Sequence, residues 1–147
     1  MKNYQRIMVT IDLNIKHDKL LMERSKELSN VSDAEVFYSH SVDCHKAIDS
    51  WTSYATETLV ENEQSVVQLK KIELTQELHD IDEKFIKIVT GHPKETILQA
   101  AKDLNVDLIL VGIHQHHGKG LFSRKTADTV IHRASCDVMV VHDDCKN

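Results

Sequence analysis

The chain has few residues that interrupt regular structure and few that build specialised scaffolds. It contains one proline, four glycines and three cysteines among 147 residues. No stretch approaches the ~20 consecutive apolar residues that a membrane helix needs, so we expect no transmembrane segment. No linker rich in proline, glycine or serine and no repeat divides the sequence. We therefore expect one domain over residues 1–147.

The cysteines and charges exclude further classes of protein. Cys44, Cys136 and Cys145 are odd in number and lack metal-type or redox-type spacing, which suits reduced thiols in the cytoplasm. The N-terminal residues lead directly into an apolar run at 7–11, without the separate apolar region of a signal peptide, so we expect a cytoplasmic location. The net charge is -5 with acids and bases interspersed, which argues against a nucleic-acid surface.

Familiar catalytic motifs are also missing from the sequence. There is no Gly-x-Ser-x-Gly nucleophile elbow and no Gly-x4-Gly-Lys-[Ser/Thr] phosphate loop. Cys44 and His45 are adjacent, but a nucleophile and its base must be paired in space, which adjacency does not ensure. We expect a protein that is not an enzyme.

What the sequence does contain is an alternation of strand-like and helix-like segments. Short apolar runs predict strands, and segments with apolar residues three and four apart predict helices. The predicted strands are 7–11, 35–41, 85–89, 108–111 and 138–141; the predicted helices are about 18–28, 56–78, 93–104 and 123–134, with a turn at 30–33 and a loop at 45–54. This order predicts a parallel five-stranded α/β sheet covered by helices on both faces, a Rossmann-like arrangement.

The last two helices carry the clearest local signals. Pro93 suits a first helical turn, because the amide hydrogen that it lacks would have no partner there. Ser123 is a fair N-cap for the last helix. The apolar spacing of that helix predicts a buried face, made of Ala127, Val130, Ile131 and Ala134.

Four segments with distinctive motifs follow one another along the chain: the first strand ending at Asp12, the turn Gly91-His92-Pro93, the strand Asp-Leu-Ile-Leu-Val-Gly at 107–112, and the closing helix and strand at 127–141. Together they resemble the universal stress protein family. The resemblance covers nearly the whole chain. It implies an adenine nucleotide alpha hydrolase-like fold with strand order 3-2-1-4-5, a role in the stress response, and a homodimer.

The family's nucleotide binders carry Gly-x2-Gly-x9-Gly-[Ser/Thr] after the fourth strand, where glycines let backbone amides approach phosphates. Gly112 supplies the first glycine, but Gln115 occupies the second position. A strict count places Lys125-Thr126 at the last pair, and an alignment with one gap places Arg124-Lys125 there. Two of three glycines are absent on either count. The chain therefore resembles the UspA-like branch that lacks the full motif, and we expect no cofactor.

Remnants of a nucleotide site keep an alternative open. Gly118 and Gly120 lie in the same loop, and Lys119, Arg124 and Lys125 are cations beside an expected helix N-terminus. These cations either bind an anion or form a basic loop exposed to solvent. Asp12 corresponds to the aspartate that contacts the nucleoside in binders, or it caps a turn. The alternative is a stress protein that binds ATP or another adenine nucleotide through a modified phosphate loop, and that could also hydrolyse ATP slowly or phosphorylate itself. Its candidate site is Asp12, Gly112, Gln115, Gly118, Gly120, Arg124 and Lys125. A third class, a flavoprotein-like cofactor carrier, would rest on fold analogy alone.

Three histidines in the loop after the fourth strand raise the question of a metal. Imidazole binds zinc, copper and nickel, but a site needs three or four converging ligands, and the neighbouring loop histidines His114, His116 and His117 rarely converge unaided. We expect no metal site. The histidines then line the mouth of the loop or a subunit contact.

The last strand is apolar throughout yet is expected at an edge of the sheet. An exposed apolar edge invites pairing with another strand, and no charge interrupts this one before residue 142. Either a symmetric homodimer or a local loop or tail covers it, and we favour the homodimer. The expected interface is Val138, Met139, Val140 and Val141. Further protein partners are not identified by the sequence.

Overall fold

The computed structural model describes residues 3–43, 58–113 and 124–142 of the chain. Strands and helices alternate through these ranges. In order they are β1 (Arg6–Thr10), α1 (Ile15–Ser32), β2 (Glu35–Val42), α2 (Thr58–Glu77), β3 (Ile86–Thr90), α3 (Pro93–Asp103), β4 (Leu108–Ile113), α4 (Arg124–Arg133) and β5 (Asp137–His142). The predicted loop at 45–54 and the predicted cap at Ser123 lie outside the described residues.

The strands form one parallel sheet in the order β3-β2-β1-β4-β5. The central strand β1 pairs with β2 on one side and with β4 on the other, so that Met8 lies between Phe37 and Ile109. The predicted fold class and strand order are confirmed. Among the described residues β3 and β5 are the two edge strands.

Helices cover both faces of this sheet, because alternate side chains of each strand point to opposite faces. On one face α1 and α2 pack on a core of Ile7, Val9, Ile11, Leu21, Tyr38, Leu74, Leu78, Leu108 and Leu110. On the other face α3 and α4 pack on a core of Met8, Phe37, Ile97, Ala101, Ile109, Val111, Ala127 and Val130. The central strands are buried on both faces, which is why they are uniformly apolar.

The ends of the helices refine the predicted boundaries. α1 continues to Ser32, so the turn predicted at 30–33 is wrong for its first three residues. The helix ends at Asp33, whose φ of 58° places it in the left-handed region and whose N–H donates to the Ser29 carbonyl at 2.7 Å. Aspartate tolerates this conformation better than most residues, so it can serve as the stop. α3 begins at Pro93, as predicted.

The predicted buried face of α4 is only partly correct. Ala127 and Val130 are fully buried, but Ile131 is 44% exposed. Thr126 is buried instead, at 3% exposure. The helix is therefore rotated so that residues 126, 127 and 130 face the sheet, a spacing that the apolar pattern alone disguised because threonine did not count as apolar.

None of the helices in the described ranges combines the length and apolar character needed to cross a membrane.

Candidate functional site

The candidate site lies at the carboxyl ends of β1 and β4. In parallel α/β sheets, ligands usually bind beyond the carboxyl ends of the strands. Chain direction reverses just after β1, through a turn in which Leu13 adopts a φ of 59°. Asp12 opens this turn and is half-buried. Its backbone N–H donates to the Oδ1 atom of Asp18 at 3.0 Å. Asp18 lies in the first turn of α1, so its side chain fixes the end of β1. Positive φ is uncommon for leucine, and such residues concentrate at functional turns.

The start of α1 also reaches across to β4. Asn14 caps the helix and accepts the N–H of His17 at 3.4 Å. The imidazole of His17 is 3% exposed and stands over the α-carbon of Gly112, so that a Cβ built on this glycine would lie 1.7 Å from Nε2. Real Cβ atoms do not come that close to another atom, hence only glycine fits at this position. Gly112 is the one signature glycine among the described residues. The space beside its α-carbon is filled by the imidazole of His17.

A second histidine, His40 on β2, lies close to the carboxyl end of β1. His40 is 1% exposed, and its Nδ1 lies 2.7 Å from the carbonyl oxygen of Ile11. A carbonyl can only accept, so Nδ1 carries the hydrogen and Nε2 presents a lone pair. Burial lowers the pKa of His40 below its usual value, which keeps the ring neutral near pH 7.

Asp18 is the most perturbed acid of this region. It is fully buried, and its pKa is raised to about 8, first by burial and then by a hydrogen bond with Glu77 at the end of α2. The hydrogen bond from the Asp12 backbone lowers the pKa, but it is outweighed. An acid group with this environment is protonated near neutral pH, which is unusual for aspartate.

The cations of the candidate site begin α4. Arg124 and Lys125 are both exposed, and no acidic residue lies in the first turn. The positive end of the helix dipole and two cations therefore occupy the same surface, an arrangement that attracts anions in general. The remaining predicted positions, Gln115, Gly118 and Gly120, lie outside the described residues.

No group of three or more potential metal ligands comes together within residues 3–43, 58–113 and 124–142. The histidines at 114, 116 and 117 fall outside these ranges, so the expectation of no metal site at that loop stays a prediction.

The predicted interface strand β5 pairs with β4 on its inner side. Val138, Met139 and Val140 are half-buried within the single chain. Val141 is only 5% exposed because it packs into the core under α1 and α2. What β5 offers outward is therefore its backbone and the three half-buried side chains.

Sequence reasoning missed four polar residues of this region: His17, Asp18, His40 and Glu77. A signal for two of them existed in α1, where the buried residues are His17, Asp18, Leu21 and Ser25. That spacing places the two polar residues on the same stripe as the buried leucine, so they were candidates for buried polar groups. Nothing in the local pattern of α2 singled out Glu77.

The fold defines a Rossmann-like α/β protein whose candidate site lies at the carboxyl ends of β1 and β4. The model of the universal stress protein family matches residues 3–142. The chain belongs to the universal stress protein family.

Individual relatives agree with this assignment. Universal stress protein A homolog 2 of Coxiella burnetii is 32% identical over 145 residues, covering 96% of this chain and 97% of the relative. The structure of universal stress protein UspA from Lactobacillus plantarum superposes with a TM-score of 0.69 at 19% identity, covering 96% and 99% of the two chains. A universal stress protein in complex with cAMP superposes with a TM-score of 0.54 at 17% identity, covering 96% and 98%. At these identities the two structures show the shared fold.

Proposed function

We propose that this protein is a cytoplasmic stress-response protein that acts as a homodimer, by binding partners rather than by catalysis, and that it does not bind ATP. The observation that carries the proposal is the contact between His17 and Gly112. The imidazole of His17 packs directly on Gly112, so it fills the space that the absence of a side chain leaves at this glycine. The glycine has a structural reason to be present that involves no phosphate.

The electrostatics of the edge agree with this proposal. Three side chains surround the end of β1: the acid Asp12, the protonated Asp18 and the neutral His40, and none of the three supplies a positive charge that would hold a phosphate. Within the described residues the cations of the candidate site are confined to the start of α4, where Arg124 and Lys125 are exposed. Exposed cations are strongly hydrated and hold a polyphosphate weakly unless backbone amides join them.

The homodimer is proposed from the edge position of β5 and its apolar composition. The outer edge of an apolar strand is normally protected in natural proteins, and a second copy of the strand does this with the same hydrogen-bonding groups.

A nucleotide-binding function is the second candidate. It is favoured by the structural likeness to a universal stress protein that was solved in complex with cAMP, and by the two cations at the start of α4. In this case the altered loop would hold phosphate through Arg124 and Lys125 instead of through glycine amides.

Titration calorimetry of the purified protein with ATP and magnesium, and separately with cAMP, distinguishes the two candidates. We expect no saturable heat at ligand concentrations up to the millimolar range. A saturable signal with one site per chain would contradict the proposal and establish the second candidate. The matched control is a variant with Arg124→Ala and Lys125→Ala, because heat that disappears in this variant arises at the start of α4.

A further inference from the structure

The carboxyl groups of the buried Asp18 and the half-buried Glu77 meet between the first turn of α1 and the last turn of α2. Asp18 is fully buried, and its Oδ1 atom already accepts the backbone N–H of Asp12 at 3.0 Å. Its second oxygen, Oδ2, is buried and accepts no hydrogen bond from an N–H or hydroxyl group of the described residues. Oε2 of Glu77 is likewise buried and accepts no hydrogen bond from an N–H or hydroxyl group of the described residues, although Glu77 as a whole is only half-buried.

The two groups are in hydrogen-bonding contact with each other. Ionised carboxylates have only acceptor oxygens, so a bond between two of them requires that one carries a hydrogen. A single proton placed between Oδ2 and Oε2 satisfies both atoms at once. Without it, two acceptors face each other in a buried site, at a cost that native structures avoid.

We propose that Asp18 and Glu77 together form a proton-binding site, and that the shared proton holds the end of α2 against the first turn of α1. Loss of this proton to solvent in mild alkali leaves two negative charges in contact. The repulsion and the cost of burying a charge then loosen the end of α2 beside Asp12. The protein thereby couples proton concentration to the shape of its candidate site.

The neighbouring groups do not offset the charge that this step creates. The other group that acts on Asp18 electrostatically is Asp12 at the end of β1, which is also an acid. On α1 the titratable residues on either side of Asp18 in the sequence are His17, which is buried, and Lys19, which is exposed to solvent. On α2 the charged residues one and two turns before Glu77 are Glu73 and Lys70, whose side chains pair at 3.5 Å.

Two titratable side chains of β2, His40 and Tyr38, also lie on this face of the sheet. His40 is influenced by Asp12, Lys70 and Glu73, and Tyr38 is influenced by Asp80. His40 is neutral, since burial lowers its pKa, and burial raises the pKa of Tyr38. Neither ring carries a charge between pH 7 and 9 that would stabilise an ionised Asp18.

The direction of the pH effect follows from the shift. A solvated aspartate has a pKa of 3.8, and in the folded protein the pKa of Asp18 is raised to about 8. Between these values the folded chain holds a proton that the unfolded chain has released. The contribution of the pair to stability is therefore complete in acid, declines as pH rises through this window, and is lost above the folded pKa.

The test compares the wild-type protein with Asp18→Asn. Asparagine has nearly the same shape, accepts the Asp12 N–H through its carbonyl, and donates to Glu77 through its amide at every pH. We expect the folding equilibrium constant of the wild type to fall relative to that of the variant by up to tenfold per pH unit between pH 5 and pH 8. Parallel pH profiles would overturn the proposal.

The matched control is Glu73→Gln on the same helix, one turn before Glu77. Its carboxylate is 53% exposed, so we expect its pH profile to parallel that of the wild type. If Asp18→Asn does not fold, Glu77→Gln replaces it. This variant removes the like charge and donates an amide hydrogen to Asp18, so the folding equilibrium constant of the wild type should fall with rising pH more steeply than that of Glu77→Gln, and parallel profiles would again overturn the proposal.

Two direct readouts separate the proton site from its structural effect. Carboxyl ¹³C shifts of the folded wild-type protein should show one group of the pair titrating above pH 7, and two ordinary acidic titrations would refute the shared proton. Amide hydrogen exchange, corrected for its intrinsic pH dependence, should show protection of the last two turns of α2 falling between pH 6 and 9 in the wild type and constant in Asp18→Asn. Unchanged protection in the wild type would refute the loosening of α2.

Discussion

Replacing Gly112 by alanine should destabilise the protein although alanine is ordinarily the safer residue. The new Cβ would lie 1.7 Å from Nε2, 2.4 Å from Cε1 and 2.8 Å from Cδ2 of His17. Relief requires the buried ring to move by roughly 1.5 to 2 Å, and overpacking of this kind costs about 1–3 kcal/mol. Because the ring is 3% exposed and has little room to turn, we expect about 3 kcal/mol. Without the clash, Gly→Ala would stabilise the chain by about 0.4–1 kcal/mol.

A double-mutant cycle isolates this contact. In a His17→Ala background the ring is gone, so the added methyl group of Gly112→Ala should cost less than about 0.5 kcal/mol or be favourable, giving a coupling energy of about 2–3 kcal/mol. Urea unfolding followed by circular dichroism measures all four proteins. Val111→Ala in both backgrounds is the control, because Val111 points to the opposite face of the sheet, and its cost should be the same in each. An equal cost of Gly112→Ala with and without His17 would refute the contact.

Two further predictions test the proposed interface and the orientation of α4. Val140→Asp should convert the dimer to a monomer in sedimentation analysis, because it places a charge in an apolar strand pairing. The control Val31→Asp, at a position 75% exposed, should leave the dimer intact. An unchanged dimer in Val140→Asp would contradict pairing through β5. Val130→Ala removes a fully buried side chain and should lower the free energy of unfolding by about 1–3 kcal/mol, whereas Ile131→Ala at a position 44% exposed should cost less than about 1 kcal/mol. Equal losses at positions 130 and 131 would show that α4 faces the sheet differently.

The positions of most strands and helices could be predicted from the sequence because burial on both faces leaves a strong local pattern. The run at 108–111 is apolar at every position, and β4 is buried at every one of these residues. Such a run has few alternatives to a central parallel strand. Helix ends with a chemical marker, such as Pro93, were predicted correctly, whereas the end of α1 was misplaced because its stop is the backbone conformation of Asp33.

The candidate site could be predicted only in part. Asp12 and Gly112 were proposed through the family resemblance and lie at the carboxyl ends of β1 and β4, but their role in binding stays a prediction. The loss of the other signature glycines is visible in the residue order alone. The rotation of α4 was misjudged at Ile131 because a helix with several apolar residues on adjacent positions fits more than one buried stripe.

The sequence by itself determined the alternating fold, the family and the absence of the full glycine signature, since each of these depends on residues that are neighbours along the chain. Only the tertiary structure decided that the imidazole of His17 fills the space over Gly112 and that Asp18 meets Glu77. Each of these pairs joins segments far apart in the chain, and their contact depends on how α1 lies across the ends of β1 and β4 and against α2. That placement follows from packing of the whole core, which no local pattern of residues encodes.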